Sequence, residues 1–386
     1  MNLLVVNPGT NLYGASRILL QTMKALKPRK IFFIVPEEGL LTEYIKTNSE
    51  FSHVQILIVP SSPIIYRKMG VANGLRLLKK MIVFRRIVNR IIKEQKIDWA
   101  YINTLSCLFA VPPLKSCGLK VFLHVHEILE NNKVFTKYIN KFALRWCDKI
   151  IAVSEPVKLN LLEVSTKKQA EKITTILNGI SDIYCPAAAK SHLSKRITLM
   201  GRIKPEKGIW FFLDTISLLP EELVKKSKFL IIGDAAPGGE HFLKKLEEDI
   251  QNHPAKNYIK YYPFIKDIRN IINESDVIVV PSLMKDPFPT TILEGLSAGK
   301  PVIATNTGGA VQSIKDEETG FLIEPLDKVK FADCLEQLIK SDALRMQMGE
   351  QARKEFLENF TLEIFETNFM QQVSEFETIV NNSGNN

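Results

Sequence analysis

The chain has 386 residues, 45% of them hydrophobic and 24% charged, with 51 Lys+Arg against 42 Asp+Glu for a formal net charge of +9. That length exceeds what one ordinary core supports, so two domains are expected, and the average composition excludes whole-chain disorder. Five cysteines (Cys107, Cys117, Cys147, Cys185, Cys334) stand far apart with no Cys-x-x-Cys pair, which excludes a disulfide framework or a zinc site and suits buried thiols in a reducing compartment.

The first apolar run, Leu3 to Asn7, leads into the stretch Asn7 to Arg17, NPGTNLYGASR. Gly9, four residues, Gly14, Ala15 and Ser16 follow the spacing of a nucleoside triphosphate loop, with alanine where lysine should stand. Without that lysine the loop cannot grip β and γ phosphates, so triphosphate hydrolysis is disfavoured. Further β-branched runs follow at Lys30 to Pro36, Val54 to Pro60, Trp99 to Thr104, Lys120 to His126, Lys149 to Ser154 and Thr174 to Ile180, with helical patterns between them. Apolar strands separated by helices predict a parallel sheet in an α/β domain. No basic segment leads into an apolar run at the N-terminus, and no stretch approaches the roughly 18 apolar residues of a membrane span. A soluble protein on the cytoplasmic side is expected.

Charge is unevenly placed. Residues 1–190 carry 28 Lys+Arg against 13 Asp+Glu, whereas the remainder carries 23 against 29. The densest part, Arg67 to Lys96, has ten basic residues and one acid, Glu94. Leu75, Leu78, Ile82, Ile91 and Ile92 give it apolar positions at helical spacing, so it reads as a basic amphipathic helix. Such a helix suits an anionic membrane surface or a phosphate-bearing acceptor, and equally an ordinary solvated face on a packed helix.

The rhythm breaks at Asp182 to Arg196, where a small-residue centre predicts a linker. It resumes at Arg196 to Arg202, Lys228 to Asp234, Tyr258 to Phe264, Asp276 to Ser282 and Pro301 to Thr305, predicting a second doubly wound domain; Leu362 to Val380 reads as a last helix. Two such domains are expected to face a central cleft that takes a ligand.

The most specific stretch is Val279 to Gly309, VVPSLMKDPFPTTILEGLSAGKPVIATNTGG. A strand ends at Pro281, a loop carries Asp286, Pro289 fits a helix start, and Glu294 stands eight positions after Asp286. The amides of Thr290 and Thr291 would sit at a helix N-terminus, which stabilises a diphosphate. Composition alone leaves Asp286 as a helix cap and Glu294 as a surface residue about as readily as ligand groups. In GRIKPEKG, Gly201 to Gly208, Arg202 and Lys207 supply two cations near one turn, suited to a diphosphate leaving group. In FLHVHEI, His126 falls at a strand's C-terminal end, where α/β sites lie; His124 is deeper on the same face and reads as structural, and Glu127 reads as holding local structure. No Asp-x-Asp and no His/Cys cluster of metal spacing occurs, and LIIGDAAPGG lacks the Gly-x-Gly-x-x-Gly of a nicotinamide site. Neither a metal nor a cofactor is expected.

The Asp286/Glu294 stretch resembles the Glu-x7-Glu signature of retaining glycosyltransferases of family 4, which have the GT-B fold; aspartate replaces the first glutamate. GRIKPEKG is similar to that family's donor-diphosphate clamp, the Gly14 loop to its glycine-bearing loop with Ala15 in place of a second glycine, and Asn178-Gly179 to the turn closing its first domain. The resemblance implies two Rossmann-like domains, 1–183 for the acceptor and 195–358 for a nucleotide sugar. A linker at 184–194, a helix at 359–380 crossing back to the first domain and a flexible tail at 381–386 complete the expectation. It also implies that His126 and Asp286 act at the donor sugar. Gly14, Arg202, Lys207, Pro289, Thr290, Thr291 and Glu294 would bind the rest of the donor, Phe264 lying where the base is held.

The implied reaction is metal-independent, retaining transfer of a sugar from a nucleotide-diphosphate sugar to an acceptor, with the leaving phosphate helping to deprotonate that acceptor. A glycan or lipid-linked oligosaccharide of surface polysaccharide, capsule or lipopolysaccharide assembly is the expected acceptor, met on the inner face of the cytoplasmic membrane through the basic segment 67–96. The rivals are a noncatalytic nucleotide-sugar-binding protein, a GT-B sugar-nucleotide epimerase and a nucleic-acid binder; the last lacks interleaved exposed aromatics or a recognisable module.

Overall fold

Apolar runs such as Leu3 to Val6 and Val277 to Val280 cannot turn either face to water, so they form strands covered by helices on both sides. A computed structural model describes all residues except 13, 66–70, 131–132, 186–193, 237 and 384–386; of residues 71–73, 133 and 383 it gives the backbone alone. The described chain divides into two units, Met1–Asn178 with Glu363–Asn386, and Gly179–Leu362.

The first unit holds β1 (Asn2–Val6), β2 (Lys30–Val35), β3 (Val54–Ile58), β4 (Trp99–Asn103), β5 (Lys120–Val125), β6 (Lys149–Ala152) and β7 (Ile173–Thr175). They form one parallel sheet in the order β3-β2-β1-β4-β5-β6-β7, with Val6 beside Ile34 and Ile102. The second holds β8 (Lys195–Met200), β9 (Ser227–Ile232), β10 (Ile259–Tyr262), β11 (Val277–Val280), β12 (Val302–Thr305) and β13 (Gly320–Ile323), parallel in the order β10-β9-β8-β11-β12-β13. Each sheet reverses its winding once, between β1 and β4 and between β8 and β11. Ligand crevices open at the carboxyl ends of strands flanking such a switch.

Three sequence expectations change. The strand expected over Thr174 to Ile180 ends at Thr175, and Ile180 instead bridges Thr361. β13 was not expected. The last helix runs Leu362–Ser383, so residues 381–383 are helical rather than tail, and 384–386 lie outside the described residues. Most of the expected linker, 186–193, also lies outside them; its start is tied down, with Asp182 ion-paired to Arg353 and the Arg353 guanidinium 4.6 Å from the centre of the Tyr184 ring.

The last helix belongs to the first unit. Phe365, Phe369, Val373 and Phe376, spaced along one helix face, are at most 1% exposed. Phe376 packs edge-on to Trp99 and Phe122 at ring distances of 5.3 and 5.2 Å, and Phe369 meets Phe122 at 5.9 Å. Arg29 holds Glu377 through two hydrogen bonds of 2.6 Å.

The basic helix spans Val71–Gln95, and residues 67–70 of the expected segment lie outside the described ones. Its core face is formed by residues other than the apolar positions singled out in the sequence. Leu77, Phe84 and Val88 are buried, whereas Leu75, Leu78 and Ile82 are 57–62% exposed. A period of 3.6 residues puts those three on the side opposite the core, among Lys79, Arg86 and Lys93. Apolar spacing alone cannot say which of two stripes faces inward.

Phe376→Ala should lower the stability of the first unit by about 3–5 kcal/mol, because the ring is fully buried in a close-packed cluster; chemical denaturation followed by tryptophan fluorescence at Trp99 measures it.

Candidate functional site

In the second unit the candidate residues collect at the switch between β8 and β11. The chain leaves β8 at Met200, passes Gly201 and the half-buried Arg202, and makes a short turn of 3-10 helix at Pro205–Lys207. Gly208 follows at φ +74°, where a Cβ would stand 1.7 Å from the Pro281 carbonyl oxygen. Glycine is needed there twice, for the left-handed backbone and for the close approach of the two loops. The contact is tied by Leu283 N–H donating to the Glu206 carbonyl at 2.9 Å.

The same contact brings Lys207 and Asp286 together as an ion pair, with side chains 25% and 19% exposed. Of the two cations expected on one turn, Lys207 is thus held against the candidate acid. Lys204, absent from the expectation, reaches the same loop, its ammonium 3.3 Å from Met284 Sδ.

Asp286 is also fixed from behind. Gly309 N–H donates to its carbonyl at 2.8 Å. A Cβ on Gly308 would come within 2.2 Å of the Asp286 oxygen, and one on Gly309 within 2.2 Å of the Pro287 oxygen. The Gly308-Gly309 pair closed the quoted motif but was given no role; the double glycine after an apolar strand was the available signal. Pro289 is the residue before the helix Thr290–Ser297, and no side chain caps that helix start. Its first amides lie beyond the intrahelical ladder. Gly295 seats the helix on the sheet, since a Cβ would lie 2.9 Å from Val302 Cγ2. Thr290 and Glu294 stand one turn apart on one face, both half-buried. Phe264 lies apart from this group, after the edge strand β10, and is 55% exposed.

In the first unit His126 follows β5, half-buried, with its ring 4.2 Å from that of His124. His124 is fully buried, its Nδ1 2.6 Å from the Tyr101 hydroxyl. Burial lowers the pKa of both rings, that of His126 to about 3, so both are neutral at pH 7. Nε2 of His126 lies 3.0 Å from Asn103 Oδ1, and Asn103 Nδ2 donates to Asn7 Oδ1 at 2.7 Å. Neither asparagine was singled out from sequence, although each is a polar residue ending a buried strand run. Glu127 accepts the amides of Leu105 and His126 at 3.2 and 3.1 Å, and burial raises its pKa to about 7. Gly14 opens the helix Gly14–Ala25, and a Cβ built there meets nothing within 4 Å. Among the described residues no group of three or more His, Cys, Asp or Glu could hold a metal ion.

Since Glu127 binds its proton more tightly folded than unfolded, the wild type should lose stability relative to Glu127→Gln as pH rises from about 4.5 to 7, by about 3 kcal/mol at most. Denaturation of both proteins across that range is the measurement.

Comparison with known proteins places this geometry. The model for glycosyl transferases group 1 matches residues 187–355, and that for glycosyltransferase family 4 matches residues 14–182. The UDP-Gal:alpha-D-GlcNAc-diphosphoundecaprenol alpha-1,3-galactosyltransferase of Escherichia coli is 26% identical over 377 residues, 91% of each chain. The capsular polysaccharide biosynthesis glycosyltransferase CapM of Staphylococcus aureus is 24% identical over 311 residues, 75% of this chain and 77% of its own. Anabaena HepE in complex with UDP and glucose shares the fold at a TM-score of 0.82 and 19% identity, covering 97% of this chain and 100% of its own. With both units matched and the two parallel sheets in place, this chain belongs to the group 1, family 4 glycosyltransferases of GT-B fold.

Proposed function

We propose that the protein transfers a sugar from a nucleoside-diphosphate sugar to a lipid-linked oligosaccharide, with retention of anomeric configuration. The observation that carries this is the cluster at the β8/β11 switch, where Arg202, Lys207, Asp286 and the start of the helix Thr290–Ser297 converge. Cations and helix-terminal amides stabilise charge as it grows on a departing diphosphate. Arg202, Lys207 and the amides of Thr290 and Thr291 are assigned to that charge without a metal ion. The Lys207 ion pair supports a shared role: an arriving phosphate competes with Asp286 for the ammonium and frees the carboxylate for a sugar hydroxyl. Glu294 is assigned to the ribose and Phe264 to the base, while Gly14 gives the donor backbone access and His126 binds a sugar hydroxyl. The sugar passes through an oxocarbenium-like state. The departing phosphate oxygen takes the acceptor proton.

The named substrate of the Escherichia coli relative supports a diphosphopolyprenol-linked acceptor and puts UDP-galactose first among donors to try. Thermal shift and UDP release over a panel of nucleotide sugars should find one donor that stabilises the wild type and is turned over. Glu294→Ala should lose the stabilisation. Gly14→Ala should keep or raise Tm, because alanine suits a helix start better and meets no neighbour, yet weaken donor binding at least tenfold. Release of an altered free nucleotide sugar would indicate an epimerase instead, and binding without turnover a noncatalytic binder.

The outward face of the helix Val71–Gln95 supports peripheral attachment to the inner face of the cytoplasmic membrane. Among the described residues no helix is long and apolar enough to cross a membrane. Exposed Leu75, Leu78 and Ile82 among lysines and arginines suit shallow insertion beside anionic headgroups. Neutralising Lys79, Arg86 and Lys93 to glutamine together should weaken cosedimentation with anionic vesicles by a factor of about 100, at about 1 kcal/mol per cation, and leave neutral vesicles unaffected. Unchanged pelleting would remove this assignment.

A further inference from the structure

At the carboxyl ends of β1, β4 and β5, the side chains of Asn7, Asn103 and His126 form a hydrogen-bonded row. Asn7 is 2% exposed and Asn103 is fully buried. Buried amides of this kind need partners with the right sense of donor and acceptor, and here the sense can be worked out from one end. The Gly9 carbonyl can only accept, so the Asn7 atom 2.6 Å from it is Nδ2. That leaves Asn7 Oδ1, an acceptor, to face Asn103, whose Nδ2 stands 2.7 Å away. The remaining atom of Asn103 is then Oδ1, again an acceptor, 3.0 Å from His126 Nε2. Nε2 must therefore carry the ring hydrogen, and in a neutral ring Nδ1 carries the lone pair.

We infer that Asn103, backed by Asn7, is a positioning residue that fixes His126 in the Nε2–H tautomer and couples its ring to the Gly9 loop, so that Nδ1 is the nitrogen offered to a substrate hydroxyl. The last clause rests on the transferase reading; the tautomer does not. The surroundings hold the relay rigid. Thr104, directly after Asn103, is held at φ +77°, a conformation that is uncommon for a β-branched residue. Its amide donates to the His124 carbonyl at 2.9 Å and its hydroxyl accepts from Ser106 N–H at 3.2 Å. The Glu127 carboxyl ties the amides of His126 and Leu105 together, so the segments after β4 and β5 cannot shift independently. His124 backs the His126 ring, and Phe369 backs His124 with near-parallel rings 6.3 Å apart.

The test is nitrogen NMR of the full-length protein with labelled histidine, His126 being assigned by the signals lost in His126→Gln. At pH 7 the wild type should show His126 as a single neutral tautomer with Nε2 protonated. Asn103→Leu should abolish that preference and lower kcat about tenfold or more with a smaller change in KM, as loss of an orienting partner does. Asn103→Asp, which keeps an acceptor facing the ring, should keep Nε2 protonated. A wild type with Nδ1 protonated or with mixed tautomers would overturn the inference, as would an unchanged tautomer in Asn103→Leu. Should Asn103→Leu fail to fold, the wild-type spectrum and Asn103→Asp decide it. If no nucleotide sugar binds the wild type, the transferase reading fails while the tautomer result stands by itself.

Discussion

The aromatic seam between the last helix and strands β4 and β5 is the contact on which the first unit depends. Trp99, Tyr101, Phe122 and His124 point from those strands to one side of the sheet, and Phe369 and Phe376 cover them. Each such ring contributes on the order of 1.5–3 kcal/mol by leaving water. The seam also has a functional edge. It ends at His124, whose ring is the wall against which His126 rests, so packing far from any ligand sets the orientation of a candidate site residue.

The two units solve one problem with different chemistry. At the β1/β4 switch the polar groups are neutral amides, an imidazole held uncharged by burial, and a carboxyl whose proton is retained to near neutrality. At the β8/β11 switch they are full charges, with Lys207 and Asp286 balanced against each other. Neutral groups recognise hydroxyls without the cost of burying charge, whereas a diphosphate calls for cations.

Much of this was legible in the sequence, because parallel strands read as continuous apolar runs and glycine, proline and acidic residues punctuate the loops after β8 and β11. Twelve of the thirteen strands overlap such runs, and β13 alone escaped. The inward face of the basic helix was not legible, since Leu75, Leu78 and Ile82 form a second apolar stripe that spacing cannot rank against Leu77, Phe84 and Val88. The pairing of Lys207 with Asp286, and the relay from Gly9 to His126, join residues 79 and 117 positions apart in the chain. Only the sheet order, which brings non-consecutive strands side by side, makes neighbours of them.

The chain passes from the first unit to the second after Asn178 and returns after Leu362, and Ile180 and Thr361 pair where the two passages run side by side. Topologically, one unit is nested inside the other. During synthesis the residues that complete the earlier fold leave the ribosome after the whole of the nested unit, which is contiguous in sequence and has all its strands available sooner. The birth order of the two units is thereby inverted: residues 1–178 must wait with Trp99 and Phe122 uncovered until the helix that shields them has been made.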